Sequence, residues 1–364
     1  MQTELQTTIS SLPSNVSITK PSMDAEWDGF VASHPNGWIC LLTGWRQVLE
    51  ESFPHIKGYF IAKTDNRGGI QSGMALYLVA SSLTGRRLVS VPFASLANPL
   101  FSSETELNTL ADTAISMSHE LKADYLEIRT NNSMAELPTN RFGVIDTYRH
   151  HSISLDRDLD QIRKSFDRTC VRQRISRAEK SGVTVLPVST EKDMKEFYRL
   201  YLISRKRIRR PPLPYRFIRA IWSQYSPEFV SVWLARYQNQ NVAGMMLFRF
   251  LKRVSAEIMA IDDRYLAVSP GHLLFWEAIR EAWNRKDQTF DFGRTAANNA
   301  PLMNFKNRWG TTVTRLPIYI YPPERIPVKG IEDSISFRAA QFLSERLPEP
   351  LFTRFGDFCF RHNH

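Results

Sequence analysis

The stretch FDFGRTAANNAPLMNFKNRWGT, residues 290–311, decides the fold prediction because it joins a strand end to clustered charges. A short apolar strand ends at Asp291-Phe-Gly-Arg294, and an Asn-rich turn and an amphipathic segment follow. Ligands of open α/β sheets bind at the carboxyl ends of strands, so this strand end is a candidate site. Asp291 could orient an amine or accept a proton, and Arg294 could bind a phosphate or carboxylate bidentately. The alternative is an internal Asp291–Arg294 pair that locks the turn.

Lys306 lies in the amphipathic segment beside two aromatic residues. Phe305 and Trp309 are four residues apart on one helical face, so both are expected to anchor in the core and to direct Lys306 elsewhere. A lysine held beside an anion site can stabilise the charge that develops on a transferred acyl carbonyl. We therefore predict a catalytic role for Lys306. The alternative is a surface lysine whose stem covers apolar neighbours.

A second candidate is Ser269-Pro-Gly-His272, which opens a predicted helix over 271–285. A helix start attracts anions because its backbone amides and its dipole face the same point. We predict that Ser269, Gly271 and His272 bind the donor of a reaction, and that His272 also moves protons. The alternative is an ordinary Pro/Gly helix start.

Other catalytic templates do not occur in the sequence, which has no G-x-S-x-G, H-E-x-x-H, Walker or C-x-x-C pattern. His150 and His151 are interpreted as structural, and Glu257 with Asp262-Asp263 as charged turn residues. The three cysteines lack the spacing of metal ligands, so we predict neither a metal site nor a disulfide framework. This cysteine usage and the absence of a signal-like N-terminus indicate a cytoplasmic protein.

The two halves of the chain repeat one strand–helix–strand unit. Residues 124–130 (DYLEIRT) resemble residues 289–295 (TFDFGRT), and each stretch follows a predicted helix. Such a repeat indicates duplicated domains. We predict an α/β fold with mixed α+β sheets, and a last strand over 312–320. The expected parts are a disordered segment 1–24, domains 25–150 and 151–325, and an amphipathic helical tail 326–364.

Positive charge is concentrated in one part of the chain. The formal net charge is +10, and residues 161–219 hold 17 Lys/Arg against 5 Asp/Glu. Such a region favours a polyanionic partner such as phosphates, tRNA or an anionic membrane surface, although a solvated charged helix is the alternative. The predicted polyanion-binding residues are Arg172, Arg174, Arg177, Arg207, Arg209 and Arg210.

Taken together, these residues resemble the FemAB-related branch of the GNAT-type acyltransferases. The matching stretches in the second half are 171–182, 269–279, 290–294 and 305–310, and those in the first half are 27–30, 85–93 and 125–129. The likeness covers about residues 25–325 and depends on the order and spacing of the stretches. It implies two tandem GNAT-like domains, of which the first is degenerate and faces the acceptor and the second is the acyltransferase.

The resemblance implies amide-forming transfer from a polyanionic cosubstrate, acyl-CoA or aminoacyl-tRNA, with no tightly bound cofactor and no DNA partner. The acceptor would be an amine of a cell-envelope, peptidoglycan or polysaccharide precursor. Asp291, His272 or a water would deprotonate this amine, and a backbone amide near 259–261 would stabilise the oxyanion together with Lys306. Met259, Ile261 and Arg294 join the predicted donor-binding residues.

The sequence also departs from the family pattern. The usual pyrophosphate loop, Q/R-x-x-G-x-G/A, is absent, because residues 264–271 are longer and hold one glycine. The basic region therefore supports an alternative, a non-catalytic nucleic-acid or envelope-complex binding protein on a GNAT scaffold. The apolar stripe within 330–360 is expected to pack on the body; its alternative is contact with the inner face of the cell membrane.

Overall fold

The computed structural model describes residues 15–131, 136–326 and 335–362. The chain divides into two compact units, and the division is not a single cut in the sequence. The first unit runs up to Tyr148 and resumes at Thr314, whereas the second comprises residues 149–313 and most of the C-terminal helices, up to Phe360.

The first unit contains one sheet, whose strands follow the order β1-β2-β3-β4-β5-β14-β6. These strands are β1 (Val16–Ile18), β2 (Ile56–Thr64), β3 (Ile70–Ser81), β4 (Gly85–Ser90), β5 (Tyr125–Arg129), β6 (Gly143–Ile145) and β14 (Ile318–Tyr321). The helices of this unit are α1 (Asp24–Ser33), α2 (Thr43–Ser52) and α3 (Glu104–Glu120).

Helix α3 connects two parallel strands. Ser103 caps its N-terminus by accepting a hydrogen bond from the Glu106 amide at 3.3 Å. Leu107, Leu110 and Ala111 lie on one helical face and are buried against the sheet. The strands that α3 joins, β4 and β5, pair in parallel, so this part of the chain is a β-α-β unit.

Two expectations about the ends of the first sheet are wrong. The segment 1–24 was expected to be disordered, but β1 pairs antiparallel with β2, and residues 1–14 lie outside the described residues. The strand predicted over 312–320 is two strands, since β14 pairs with β5 and β6 in the first sheet instead of completing the predicted domain 151–325. Side-chain alternation predicts that a strand exists but does not identify its neighbours.

The second unit contains a sheet with the strand order β13-β7-β12-β11-β10-β9-β8. Its strands are β7 (Tyr148–Ser154), β8 (Thr184–Pro187), β9 (Val230–Tyr237), β10 (Gln240–Phe250), β11 (Arg253–Ile261), β12 (Thr289–Ala296) and β13 (Thr312–Arg315). The helices are α4 (Leu159–Ser165), α5 (Gln173–Lys180), α6 (Glu191–Arg207), α7 (Tyr215–Tyr225), α8 (Pro270–Asn284), α9 (Ala300–Asn307), α10 (Ile335–Arg346) and α11 (Glu349–His362), with a π-helical turn at Arg168–Arg172 before α5.

Helices cover both faces of this sheet. Successive residues of a strand point to opposite faces. In β10, Ala243 and Met245 belong to the core that includes α5 and α8, whereas Gly244 lies against Phe197 of α6. Helix α8 joins the parallel strands β11 and β12, as α3 joins β4 and β5. The repeat read from 124–130 and 289–295 is therefore confirmed as a repeated β-α-β unit.

The C-terminal helices pack on the second unit. Gly356 of α11 lies against Pro212, and the Lys206 Nζ lies 5.7 Å from the ring centroid of Phe352. An ion pair between Arg209 and Glu345, at 3.0 Å, links the end of α6 to α10. The expectation that the apolar stripe of this tail packs on the body holds for Phe352, which is buried, but not for Phe342, Leu351 and Phe358, which are exposed. In the described part of the chain, no helix combines the length and hydropathy needed to cross a membrane.

Candidate active site

Strands β11 and β12 separate at their carboxyl ends. They pair in parallel over Arg253–Ser255 and Thr289–Asp291, and both strands then continue, to Ile261 and Ala296. Strand β11 keeps its pairing with β10 as far as Ile261, and β12 is also the neighbour of β7 in the sheet, so the pairing that ends early is the one between β11 and β12. Gly293 lies just beyond the last pair and has a φ of 73°, a backbone angle that residues other than glycine rarely adopt. The pairing of β11 and β12 therefore ends before the carboxyl ends of the two strands, and the space between these ends is called the cleft below.

A buried His–Asp pair lies where the strands separate. His150 of β7 contacts the Asp291 carboxylate through Nε2, and Asp291 Oδ1 also accepts the Gly293 amide at 2.6 Å. Burial alone would raise the pKa of Asp291, but His150, Arg253 and the Gly293 amide together hold it below its usual range. The expected Asp291–Arg294 pair is not what locks this turn, since Arg294 is exposed. Asp291 is fully buried with both oxygens engaged, an arrangement that suits a positioning role better than proton transfer.

Lys306 points into the protein at the base of the cleft. It is 5% exposed, and its Nζ donates to the Gly293 carbonyl at 2.8 Å and to the Arg294 carbonyl at 3.3 Å. The expected anchors are in place, with Trp309 buried and Phe305 half-buried, so the surface-lysine alternative is wrong. Burial lowers the pKa of Lys306 to about 8, against the opposing attraction of Asp291 and Glu257. An ammonium has three donors, and these two bonds leave one N–H for a ligand.

His151 also lies beside Lys306. Burial, followed by the positive charge of Lys306, lowers the pKa of His151 to about 4, although the nearby Asn307 side chain partly opposes this effect. The imidazole is therefore neutral at pH 7. No sequence pattern placed His150 or His151 at the site, because the strand that carries them lies far from Asp291 and Lys306 along the chain.

The start of α8 lies beside the segment that contains α9 and Trp309. The His272 ring stacks on Trp309 at 5.9 Å and meets Phe305 edge-on at 5.6 Å. Burial, and then Arg174, lower the pKa of His272 to about 4, although a hydrogen bond with the Cys170 backbone opposes this shift. His272 is thus a neutral ring in an aromatic cluster at neutral pH. This environment disfavours the proton-transfer role that was predicted for it.

Ser269 and Gly271 shape the helix start. Ser269 has a left-handed backbone, and its hydroxyl is buried without a hydrogen-bond partner among the described residues. A Cβ on Gly271 would lie 2.8 Å from the Ile261 Cδ1 and 2.9 Å from the Met259 Cε, so only glycine fits without moving them. The structure therefore brings four predicted donor-binding residues together: Ser269, Gly271, Met259 and Ile261.

One of the two backbone amides that β11 directs toward the cleft already has a hydrogen-bond partner. The Asp262 amide donates to Val242 of β10, so the amides of Ile261 and Met259 face the other side, beyond the stretch in which β11 pairs with β12. The Ile261 amide donates to Ser204 Oγ at 2.6 Å, and this hydroxyl donates to the Ile261 carbonyl at 2.9 Å. Ile261 therefore does not offer the oxyanion contact expected near 259–261. The Met259 amide has the required direction.

The six predicted polyanion-binding arginines do not form one site. Arg172 and Arg177 line an open groove of about 690 Å³ on the π-helical turn and α5, together with Arg163, Arg168 and Lys180. Arg174 is close enough to His272 to affect its pKa. Arg207, Arg209 and Arg210 lie at the end of α6, on the other face of the sheet. Only the α5 group adjoins the start of α8.

Comparisons with known proteins agree with this architecture. A family model for the acetyltransferase (GNAT) domain matches residues 165–307, the segment that holds the cleft. No curated protein matched the chain by sequence. The solved structure of FemX has a TM-score of 0.65 and 16% identity, over 84% of this chain and 96% of FemX.

Two further structures share the fold. The C-terminal domain of a protein assigned as a lysylphosphatidylglycerol synthetase, from Agrobacterium fabrum, has a TM-score of 0.55 and 11% identity, over 88% of this chain and 96% of that one. A tandem GNAT protein from the clavulanic acid biosynthesis pathway has a TM-score of 0.53 and 10% identity, over 84% and 98%. At these identities the likeness concerns the fold. The expected tandem GNAT-like architecture is confirmed, and residues 165–307 match the model of the GNAT acetyltransferase domain.

Proposed function

We propose that the chain is an amide-forming N-acyltransferase that moves an acyl or aminoacyl group from a polyanionic donor to an amine. One observation carries this proposal: the ends of β11 and β12 separate directly beside the start of α8, with the buried ammonium of Lys306 at the base of the gap. A GNAT acetyltransferase domain in the same segment supports it.

In this proposal the protein binds the donor at two points, its phosphates and its reacting carbonyl. The start of α8 presents a helix dipole and the buried hydroxyl of Ser269, both suited to an anion. Five cations line the groove on the adjacent turn and α5, and they extend this positive surface away from the cleft. Acyl-CoA and aminoacyl-tRNA both combine phosphates with an activated carbonyl, and either is a cosubstrate in this proposal.

The reaction forms one C–N bond and breaks one C–S or C–O bond. The uncharged acceptor amine adds to the donor carbonyl, and the oxyanion that results accepts hydrogen bonds from the remaining N–H of Lys306 and from the Met259 amide. Collapse of this intermediate expels the thiolate of CoA or the ribose oxygen of tRNA. Holding both substrates in the cleft supplies the proximity that such an addition needs.

Proton transfer in this proposal passes through water. The nitrogen that has added to the carbonyl is acidic, and the leaving sulfur or oxygen is basic, so a water that bridges them completes the balance. Asp291 is fully buried, and burial lowers the pKa of His272 to about 4, which makes its imidazole a weak base; both observations argue against these residues as the base. The acceptor in this proposal is an amine on a cell-envelope or polysaccharide precursor.

A donor screen tests the proposal. The full-length protein is mixed with acyl-CoAs or aminoacyl-tRNAs, thermal unfolding is recorded, and transfer to small amine acceptors is followed by mass spectrometry. A donor that binds only the native state raises the unfolding temperature. We expect one donor class to stabilise the protein and to yield an amide product. Salt-sensitive RNA binding that does not depend on aminoacylation, without any transfer, would instead support the non-catalytic alternative.

A further inference from the structure

The C-terminal hairpin, defined as α10 and α11, exposes several large apolar side chains. The exposed fractions are 56% for Phe342, 38% for Leu343, 48% for Leu351 and 51% for Phe358. Ile208, at the end of α6 beside α10, is 47% exposed. Water contact with so many exposed apolar side chains is unfavourable, so these two helices are a candidate interaction surface.

Packing of the hairpin on the second unit uses a different helical face. In α11 the buried residues are Phe352, Gly356 and Cys359, which are four and three residues apart. Leu351 and Phe358 are seven residues apart and therefore share a second stripe, about 100° around the helix from Phe352 and Cys359. The exposed stripe can thus contact another body while α11 keeps its place on the second unit.

Exposed arginines lie on the same two helices as the exposed apolar side chains. Arg338, Arg346 and Arg354 are exposed on the two helices, and Arg346 lies 3.8 Å from the ring centroid of Phe342. Two of the acidic side chains in the hairpin are already paired, Glu345 with Arg209 at 3.0 Å and Asp357 with Arg216 at 2.8 Å. The adjoining end of α6, residues 205–210, holds five Lys/Arg and no acid. The two helices and the adjoining end of α6 therefore carry exposed apolar side chains together with exposed cations.

We propose that the exposed face of the C-terminal hairpin docks on an anionic lipid bilayer. Amphipathic helices lie in a membrane interface with their apolar side chains at the acyl boundary and their cations among the anionic headgroups. Arginine suits this position because its stem remains with the apolar side chains while its guanidinium reaches the headgroups. An RNA would engage the cations but leave Phe342 and Leu351 in water. This inference goes beyond the proposed function and does not depend on it.

Vesicle binding by the full-length protein tests the proposal. Co-sedimentation is measured with vesicles of phosphatidylcholine and with vesicles that also contain about one third phosphatidylglycerol. The test variant is Phe342→Ser with Leu351→Ser, and the matched control is Leu186→Ser with Leu251→Ser, two residues of the second unit that are 43% and 44% exposed. Point variants are used because removing the hairpin would uncover Pro212 and Lys206.

We expect the wild type and the control to bind anionic vesicles at least tenfold more tightly than neutral ones, and the hairpin variant to lose at least tenfold. A second variant, Arg346→Gln with Arg354→Gln, should weaken binding about fivefold for each cation removed. Thermal unfolding shows whether each variant remains folded. The proposal is overturned if the wild type does not bind anionic vesicles, or if folded hairpin variants bind like the wild type. It is also overturned if the substitutions abolish self-association or RNA binding and leave vesicle binding intact.

Discussion

At the scale of single residues, Lys306 joins the fold to the proposed chemistry. Its two hydrogen bonds fix the carbonyls of Gly293 and Arg294, just beyond the last β12 residue that pairs with β11, and its burial brings its pKa to about 8. The same ammonium is thus a structural clamp and the proposed oxyanion contact. Stability and turnover must therefore be measured together in any Lys306 variant.

Replacement of Lys306 by methionine is expected to lower kcat by about 10²–10³-fold, the usual effect of losing one oxyanion contact. The pKa of Lys306 is about 8, so its charged form disappears as the pH rises through that value. The wild-type kcat should therefore fall above about pH 8, and Lys306→Met should lack this decline. Lys306→Arg keeps its charge and should move the decline to higher pH. Turnover by Lys306→Met within a few-fold of wild type would remove Lys306 from the mechanism.

Asp291→Asn tests the buried pair. The substitution leaves His150 without its charged partner in the interior, so we expect the free energy of unfolding to drop by about 3 kcal/mol. The control is Asp146→Asn, which breaks an exposed pair with Arg315 at 2.9 Å and should cost less than about 1 kcal/mol. Urea denaturation measures both values. Equal effects of the two substitutions would show that His150 and Asp291 do not stabilise the strand end.

At the scale of elements, the sequence predicted local units well and distant neighbours poorly. Phe305 and Trp309 correctly indicated how α9 is anchored, and DYLEIRT with TFDFGRT revealed the repeated β-α-β unit. His150 was missed because its partner Asp291 is 141 positions away and nothing local marks the contact. Ser204 was missed for the same reason, since its contact with Ile261 arises only when α6 packs on β11.

Gly356→Ala tests how α11 is attached. A Cβ at this position would overlap the Pro212 backbone oxygen, which cannot move aside like the end of a flexible side chain. We expect α11 to detach and residues 349–362 to lose protection in hydrogen exchange. Gly29→Ala in α1 is the matched control, because no atom lies within 4 Å of its added Cβ. An alanine there should stabilise its helix by up to about 1 kcal/mol. Unchanged protection in Gly356→Ala would mean that Pro212 does not hold α11.

At the scale of the whole molecule, the two β-α-β units end differently. In the first unit, Arg129 pairs with Glu127 at 2.7 Å and donates to the carbonyls of Val91 and Ala94, so its charge is used within the unit. In the second unit, Arg294 is exposed and Lys306 is directed to the strand end. The sequence showed the repeat but could not show this difference, which depends on how deeply each side chain is buried. The proposed chemistry accordingly belongs to the second unit.

If the cations of the groove on α5 contact the phosphates of the donor, the affinity for the donor falls as the salt concentration rises. Each phosphate neutralised by the protein contributes about 0.7–0.9 to the slope of log K against log salt concentration. Arg168→Ala with Arg177→Ala should therefore lower the slope by up to about twice that value. Arg280→Ala is the control, because Arg280 lies on α8, outside the groove, and is paired with Glu277. Equal slopes for all three proteins, measured by titration at several salt concentrations, would show that the groove does not contact the donor.

The central claim, that the cleft between β11 and β12 holds the donor, is tested most directly by a crystal structure with a non-reactive donor analogue. A thioether analogue of acyl-CoA and an amide-linked aminoacyl-RNA serve for the two donor classes. The account predicts that a phosphate of the analogue lies at the start of α8 and that its acyl end lies within hydrogen-bond distance of Lys306 Nζ. An analogue bound elsewhere, with the gap between the two strands closed by side chains, would contradict it.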